Sequence, residues 1–180
     1  MRTLYLAAAF LVAGGAVQVS YPATPTGTMA SATAPISDAT FVRKAALSDM
    51  YEVETGKLAQ QKAVSADVKS FASKMVEAHT QTANQLKSLL SSKAGLKPPA
   101  AMDSGHKALI AKLRAANGAA FDKLYAQQQA QGHNDAVMLF TDYAQNGKDA
   151  DLKKFATETL PTIQQHLSMA QTLQKGGATP

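Results

Sequence analysis

From Ser37 to about Gln174 the apolar positions of this chain recur at helical spacing, interrupted only by short polar breaks. Residues three and four apart share a helix face, so a stripe at those steps marks a side that seeks burial. In one segment Val68, Ala72, Met75, His79, Leu86 and Leu90 form the stripe, with Phe71, Val76 and Leu89 widening it. In another, His133, Val137, Phe140 and Ala144 line up, and Phe121 and Leu124 continue the face toward its start. In the last, Leu152, Phe155, Thr159, Ile163, His166, Ala170 and Leu173 do the same beside Leu167. The first segment offers two rows: Phe41, Ala45, Ser48, Glu52 and Ala59, or Leu47, Tyr51, Glu54 and Leu58. Glu52 and Glu54 are therefore both candidates to face inward.

Capping chemistry sets the boundaries. The first helix is expected over about 38–63, capped by Ser37 or Asp38. The second runs from an N-cap at Ser65 to about Lys93, with Gly95 as its C-terminal glycine. Pro98 and Pro99 forbid helix and mark a connection. A short helix over about 104–115 follows, ended by Asn117 and Gly118. Two further long helices are expected over about 119–145 and 149–174, separated by Asn146 and Gly147, with Asp149 as cap. Pro161 lies inside the last and predicts a kink. Four long helices in two tight hairpins, joined by a longer crossover, predict an all-α fold, a ferritin-like four-helix bundle with a short helix in the crossover.

The ends of the chain read differently. Leu4 to Val17 is an uncharged apolar run behind Arg2, with Gly14, Gly15 and Ala16 as small residues for a signal peptidase. It is shorter than the roughly 20 residues of a spanning helix. The expected organisation is a signal peptide at 1–17, a flexible linker rich in Ala, Thr, Ser and Pro at 18–37, the bundle at 38–174 and a tail at 175–180. Together these predict an exported protein, periplasmic or secreted.

Composition narrows the chemistry. Without cysteine there is no disulfide, thiolate metal site or cysteine nucleophile, so the core alone must hold the fold. A single domain of this length buries roughly 70% of the surface its unfolded chain exposes, which suffices. The net charge of +5 is scattered over helix faces, and the chain has no tryptophan. That excludes a nucleic-acid partner, which needs a concentrated basic face with stacking aromatics, and leaves a mild attraction to an anionic envelope surface. No nucleophile elbow and no glycine-rich phosphate loop occur, so an enzyme is not indicated.

What remains is histidine. His79, His133 and His166 each fall near the middle of a different long helix, on or beside its apolar stripe. Three readings stay open. The plainest is a set of ordinary buried neutral rings bonded to Glu52, Glu54, Tyr125 or Thr159. The second is a metal site of His79, His133 and His166 completed by Glu52 or Glu54, with a transition metal such as copper, zinc or iron, because imidazole suits such ions. Met75 and Met169, close to His79 and His166 on the same faces, incline that reading to copper. The third is a polar layer that responds to pH. The paired Glu-x-x-His pattern of di-iron bundles is absent. Asp103 and His106 have that spacing, but sit at the start of the short crossover helix.

The combination Phe41-Val42, Ala45-Ala46, Glu52-Val53-Glu54, Gly56 to Ala59, Val68 to Ala72 and Met75 to Thr80 resembles the N-terminal half of an uncharacterised bacterial secreted family. Phe121-Asp122, Tyr125, His133 and Leu160-Pro161 to His166-Leu167 resemble its second half. Members of that family carry a domain of unknown function and are commonly labelled predicted outer membrane proteins. The resemblance implies a ferritin-like bundle exported to the envelope and no particular activity. A soluble or peripherally attached periplasmic protein fits this chain better than a barrel, for it has no strands of alternating polarity. The expectation is an exported, non-catalytic helical-bundle protein, with a metal-binding or redox bundle as the alternative.

Overall fold

A computed structural model describes residues 35–176. The expected signal peptide lies outside the described residues, as do all of the linker except Pro35, Ile36 and Ser37 and all of the tail except Lys175 and Gly176. Within the described residues the protein is wholly helical: α1 (Asp38–Lys62), α2 (Ala66–Leu90), α3 (Ser104–Ala115), α4 (Gly118–Asn146) and α5 (Ala150–Gln174). No helix among them is long and apolar enough to cross a membrane.

The caps form as side-chain chemistry dictates. Ser37 accepts from the Thr40 amide, Ser65 from Val68, and Asp103 from His106. Asp149 accepts from Asp151 and Leu152. Each satisfies amides that a helix start leaves without a partner. The α1–α2 turn is tied from outside by the Asp122 carboxylate on α4, which accepts from the Val64 and Ser65 amides at 3.2 and 2.8 Å. Lys93, just past α2, bonds Asp149 and Asp151 at 2.7 and 2.9 Å and so fastens that end to the start of α5.

Three expectations about glycine are corrected. α2 ends at Leu90 and leaves through right-handed backbone at Ser91, so Gly95 is not its left-handed terminator. Gly118 opens α4, at φ 56°, instead of closing α3. Gly147 has an ordinary φ of −57°, and what demands glycine there is space. A Cβ would stand 2.6 Å from the Tyr143 carbonyl oxygen and 2.7 Å from its ring. Pro161 does not interrupt α5. It lies exposed, as does Thr157, so the carbonyl that loses its amide donor is on the solvent side.

α1 pairs with α2 and α4 with α5; α1 also packs on α4 and α2 on α5, while α3 lies against α1 and α4. The interior has two apolar clusters. One gathers Phe41, Leu86, Phe140, Tyr143, Leu152 and Phe155, with Phe41 stacked on Tyr143 at 4.0 Å between ring centroids. The other gathers Val68, Phe71, Met75, Leu113, Phe121 and Tyr125. Each fully buried large side chain contributes roughly 1.5–3 kcal/mol by leaving water. At the level between these clusters every long helix buries polar side chains: Asp49, Glu52 and Thr55 on α1, His79 on α2, Gln129 and His133 on α4, His166 on α5. A polar belt thus divides two greasy halves.

Candidate metal centre

The stripes that bury each helix carry the histidines inward. His79 follows Met75 by one turn and precedes Leu86; His133 lies between Ala130 and Ala136; His166 lies between Ile163 and Met169, and all these neighbours are buried. Burial is the result: His133 is 2% exposed, His79 and His166 6%. The rings meet, with centroids 5.6 Å apart for His79 and His133, 5.6 Å for His79 and His166, and 5.4 Å for His133 and His166. They stand at 48° to 80° to one another, so ring edges converge where stacked faces would keep them apart. One ring nitrogen from each lies within 4.8 Å of the other two.

Hydrogen bonding decides which nitrogens are free. His79 Nδ1 is bonded to Asp49 Oδ1 at 2.8 Å, and His133 Nδ1 donates to the Gln129 carbonyl oxygen at 2.9 Å. His79 Nε2, His133 Nε2 and His166 Nδ1 are buried with no partner. A buried polar atom left unsatisfied costs about 1–3 kcal/mol, and three of them here belong to one cluster. Metal-bound imidazoles characteristically give their second nitrogen to a carboxylate or a backbone carbonyl, which fixes the ring and its tautomer. His79 and His133 already have that support. An ion equidistant from three atoms no more than 4.8 Å apart sits about 2.8 Å from each at most; bonds near 2.0 Å to imidazole nitrogen need inward movements of under about 1 Å.

Charge in the belt is unbalanced. Burial pushes Glu52 up from the usual carboxylate range, and the nearby His79, the Gln129 side-chain bond and His106 only partly offset it. Burial likewise raises Asp49 despite its bond and attraction to His79. His79 is lowered by burial, but the Asp49 bond and the charges of Glu52 and Asp49 outweigh that, and it ends raised. Both partners of the pair hold protons more tightly than in water. His133 is pushed down to about 3 by burial first and the charge of His79 next. His166 also falls to about 3, through burial and then His133, His79 and Lys74. Burial, reinforced by the neighbouring rings, therefore keeps His133 and His166 neutral. Asp49 Oδ2 and Glu52 Oε2 remain without partners, so the layer holds carboxyl groups that burial biases toward the neutral form and that a bound cation would favour in the charged one.

Of the residues singled out in the sequence, the structure brings His79, His133 and His166 together and buries Glu52 beside them. Glu54 is elsewhere: it is partly exposed, and its carboxylate accepts from Arg114 at 2.7 Å. The bonds expected from Glu52, Glu54, Tyr125 or Thr159 to the rings are not the ones formed. Asp49 and the Gln129 carbonyl make them, and the Tyr125 hydroxyl is itself unpartnered. Asp49 was legible: it lies three residues after Ala46 and three before Glu52, on a stripe with Val42 and Ala45 that rows drawn through Phe41 and Leu47 pass over. The Gln129 contact is made by backbone, so no side-chain pattern announces it.

A family model described as Domain of unknown function (DUF4142) matches residues 23–173. No curated protein matches the chain. Among solved structures, CopM in its Cu(II)-bound form superposes with a TM-score of 0.67 at 17% identity, over 79% of this chain and 98% of that one. CopM in its Ag-bound form, obtained by co-crystallization, gives a TM-score of 0.64 at 18% identity over 78% and 97%. A protein from Streptomyces coelicolor described as a secreted DUF305 protein gives a TM-score of 0.62 at 13% identity over 78% and 94%. At such identities the likeness is one of fold.

Proposed function

The chain belongs to the DUF4142 family, and we propose that it is an exported envelope protein whose histidine triad holds a single transition-metal ion, copper before zinc or iron. One observation carries the reading: three buried imidazoles from three helices each bring a ring nitrogen within 4.8 Å of the other two, and each ring keeps one buried nitrogen without a partner. Their ligand chemistry suits copper or zinc. Copper is preferred because Met75 and Met169, both buried, lie one helical turn from His79 and His166, and thioether sulfur favours soft Cu(I). The shared fold of a protein solved with Cu(II), Cu(I) and silver supports the same choice.

The four long helices, paired in two hairpins and connected through α3, are read as a ferritin-like bundle, with the site at mid-height where ligands come from facing helices. Export rests on the apolar run from Leu4 to Val17 and on the fold shared with a protein described as secreted. The role is holding the ion without turnover. His79, His133 and His166 bind; Asp49 and Gln129 orient two of the rings; Glu52 supplies charge. Because the ion replaces protons, binding weakens on acidification.

The test is elemental analysis of the full chain after dialysis against copper and zinc together, repeated with His79→Ala. The expected result is near-stoichiometric copper that the substitution abolishes. A metal-free protein, or copper retained unchanged by the variant, contradicts the reading.

A further inference from the structure

Two clefts approach the histidine layer, and their chemistry differs. Between α2 and α5 lies a groove of about 650 Å³, and Thr82, Thr159 and Thr162 line both it and a crevice of about 10 Å³ against His79 and His166. On the other side a groove of about 460 Å³ between α1, α3 and α4 reaches the same crevice only at Ser48 and Ala136. The threonines carry oxygen that is oriented. Thr82 Oγ1 donates to the Ala78 carbonyl at 2.9 Å, and Thr159 Oγ1 to the Phe155 carbonyl at 2.7 Å. With each hydroxyl proton committed to its own helix, the oxygen lone pairs remain for an acceptor's role, which is what a cation needs. The groove is also lined by the carboxylates of Asp151 and Glu158 and by Lys154; Asp151 is paired with Lys93 at 2.9 Å and Glu158 with Lys154 at 3.9 Å, exposed pairs that an ion can exchange with. The two rings on this seam, at 6% exposure, are more open than His133 at 2%.

We propose that the seam between α2 and α5 is the way in for the metal: a copper ion gathered in the outer groove sheds its water against the oxygens of Thr82 and Thr159 and passes to His166 and His79. This rests on the triad being a metal site. The crevice has room for about one water at most, so a hydrated ion cannot enter whole, and the threonine oxygens replace the waters it loses.

The experiment mixes the full chain rapidly with Cu(II) and follows tyrosine fluorescence, which the bound ion quenches; the chain has five tyrosines and no tryptophan to mask them. Replacing both threonines, Thr82→Val with Thr159→Val, keeps side-chain size and removes the oxygens. Association is expected to slow about tenfold, the effect of losing two modest polar contacts at the barrier, while copper at saturation and the melting temperature stay as in the wild type. Ser48→Val, on the rival route, leaves the rate unchanged. If the double variant fails to fold, Thr162→Leu at an exposed position carries the test by narrowing the seam. A wild-type rate in the threonine variants, or slowing by Ser48→Val instead, overturns the port while leaving the triad. A wild-type protein that takes up no copper overturns both.

Discussion

Two aspartate–histidine pairs in this protein share one bond length and differ in almost everything else. His79 Nδ1 and Asp49 Oδ1 are 2.8 Å apart in the middle of the bundle, with side chains 8% and 5% exposed. His106 Nδ1 and Asp103 Oδ1 are also 2.8 Å apart, at the start of α3, with side chains 30% and 44% exposed. In the outer pair Asp103 lies below the usual carboxylate range, held there by the His106 backbone amide first and the His106 ring next. In the inner pair burial overrides the same ring contact, and Asp49 lies above that range. The bond does not decide what the pair is; its surroundings do. In water the pair caps a helix. Inside, its ring lies 5.6 Å from each of two more imidazoles, and the pair becomes part of a buried histidine cluster.

The strongest way to break this contrast is to remove each aspartate in turn. Asp49→Ala strips a buried ring of its partner and is expected to lower unfolding stability by about 3 kcal/mol in urea titration of the metal-free protein. Asp103→Ala produces only the modest loss of a helix cap. Equal effects would show that burial does not separate the pairs.

A smaller effect sharpens the electrostatics. The His166 imidazole takes a proton near its ordinary value of 6.5 when unfolded, but not until about 3 in the fold. A depressed histidine contributes stability that is full above the unfolded value and lost as pH falls toward the folded one. The penalty of His166→Asn, measured without metal, should therefore shrink by about 2 kcal/mol between neutral pH and about pH 5, at about 1.4 kcal/mol per pH unit below 6.5. A penalty independent of pH contradicts a buried neutral ring.

The same distinction explains what was legible in the sequence. Helix positions followed from stripes and caps, and the bounds of α3 agreed because the break at Asn117 and Gly118 is a local signal. Glycine roles were missed where they depend on space, as at Gly147 against Tyr143, since sequence shows conformation more readily than crowding. The three histidines were visible as polar residues on apolar faces, but their meeting depends on how the two hairpins dock, which no residue count fixes. Glu54 was a reasonable partner by periodicity and proved to be Arg114's, because its row of α1 is buried at Leu47 and Tyr51 but only half-buried at Glu54. Of the groups that aim the rings, Asp49 lies on a row with Val42 and Ala45 that the pattern offered and the chosen rows passed over, while the Gln129 carbonyl becomes visible only in three dimensions.

X-ray absorption at the copper edge of the loaded full chain tests the central claim most directly. The account predicts about three nitrogen neighbours near 2.0 Å with the outer-shell pattern of imidazole rings, reduced by His133→Ala. A first shell of oxygen alone, or one of sulfur with no imidazole signature, would contradict it.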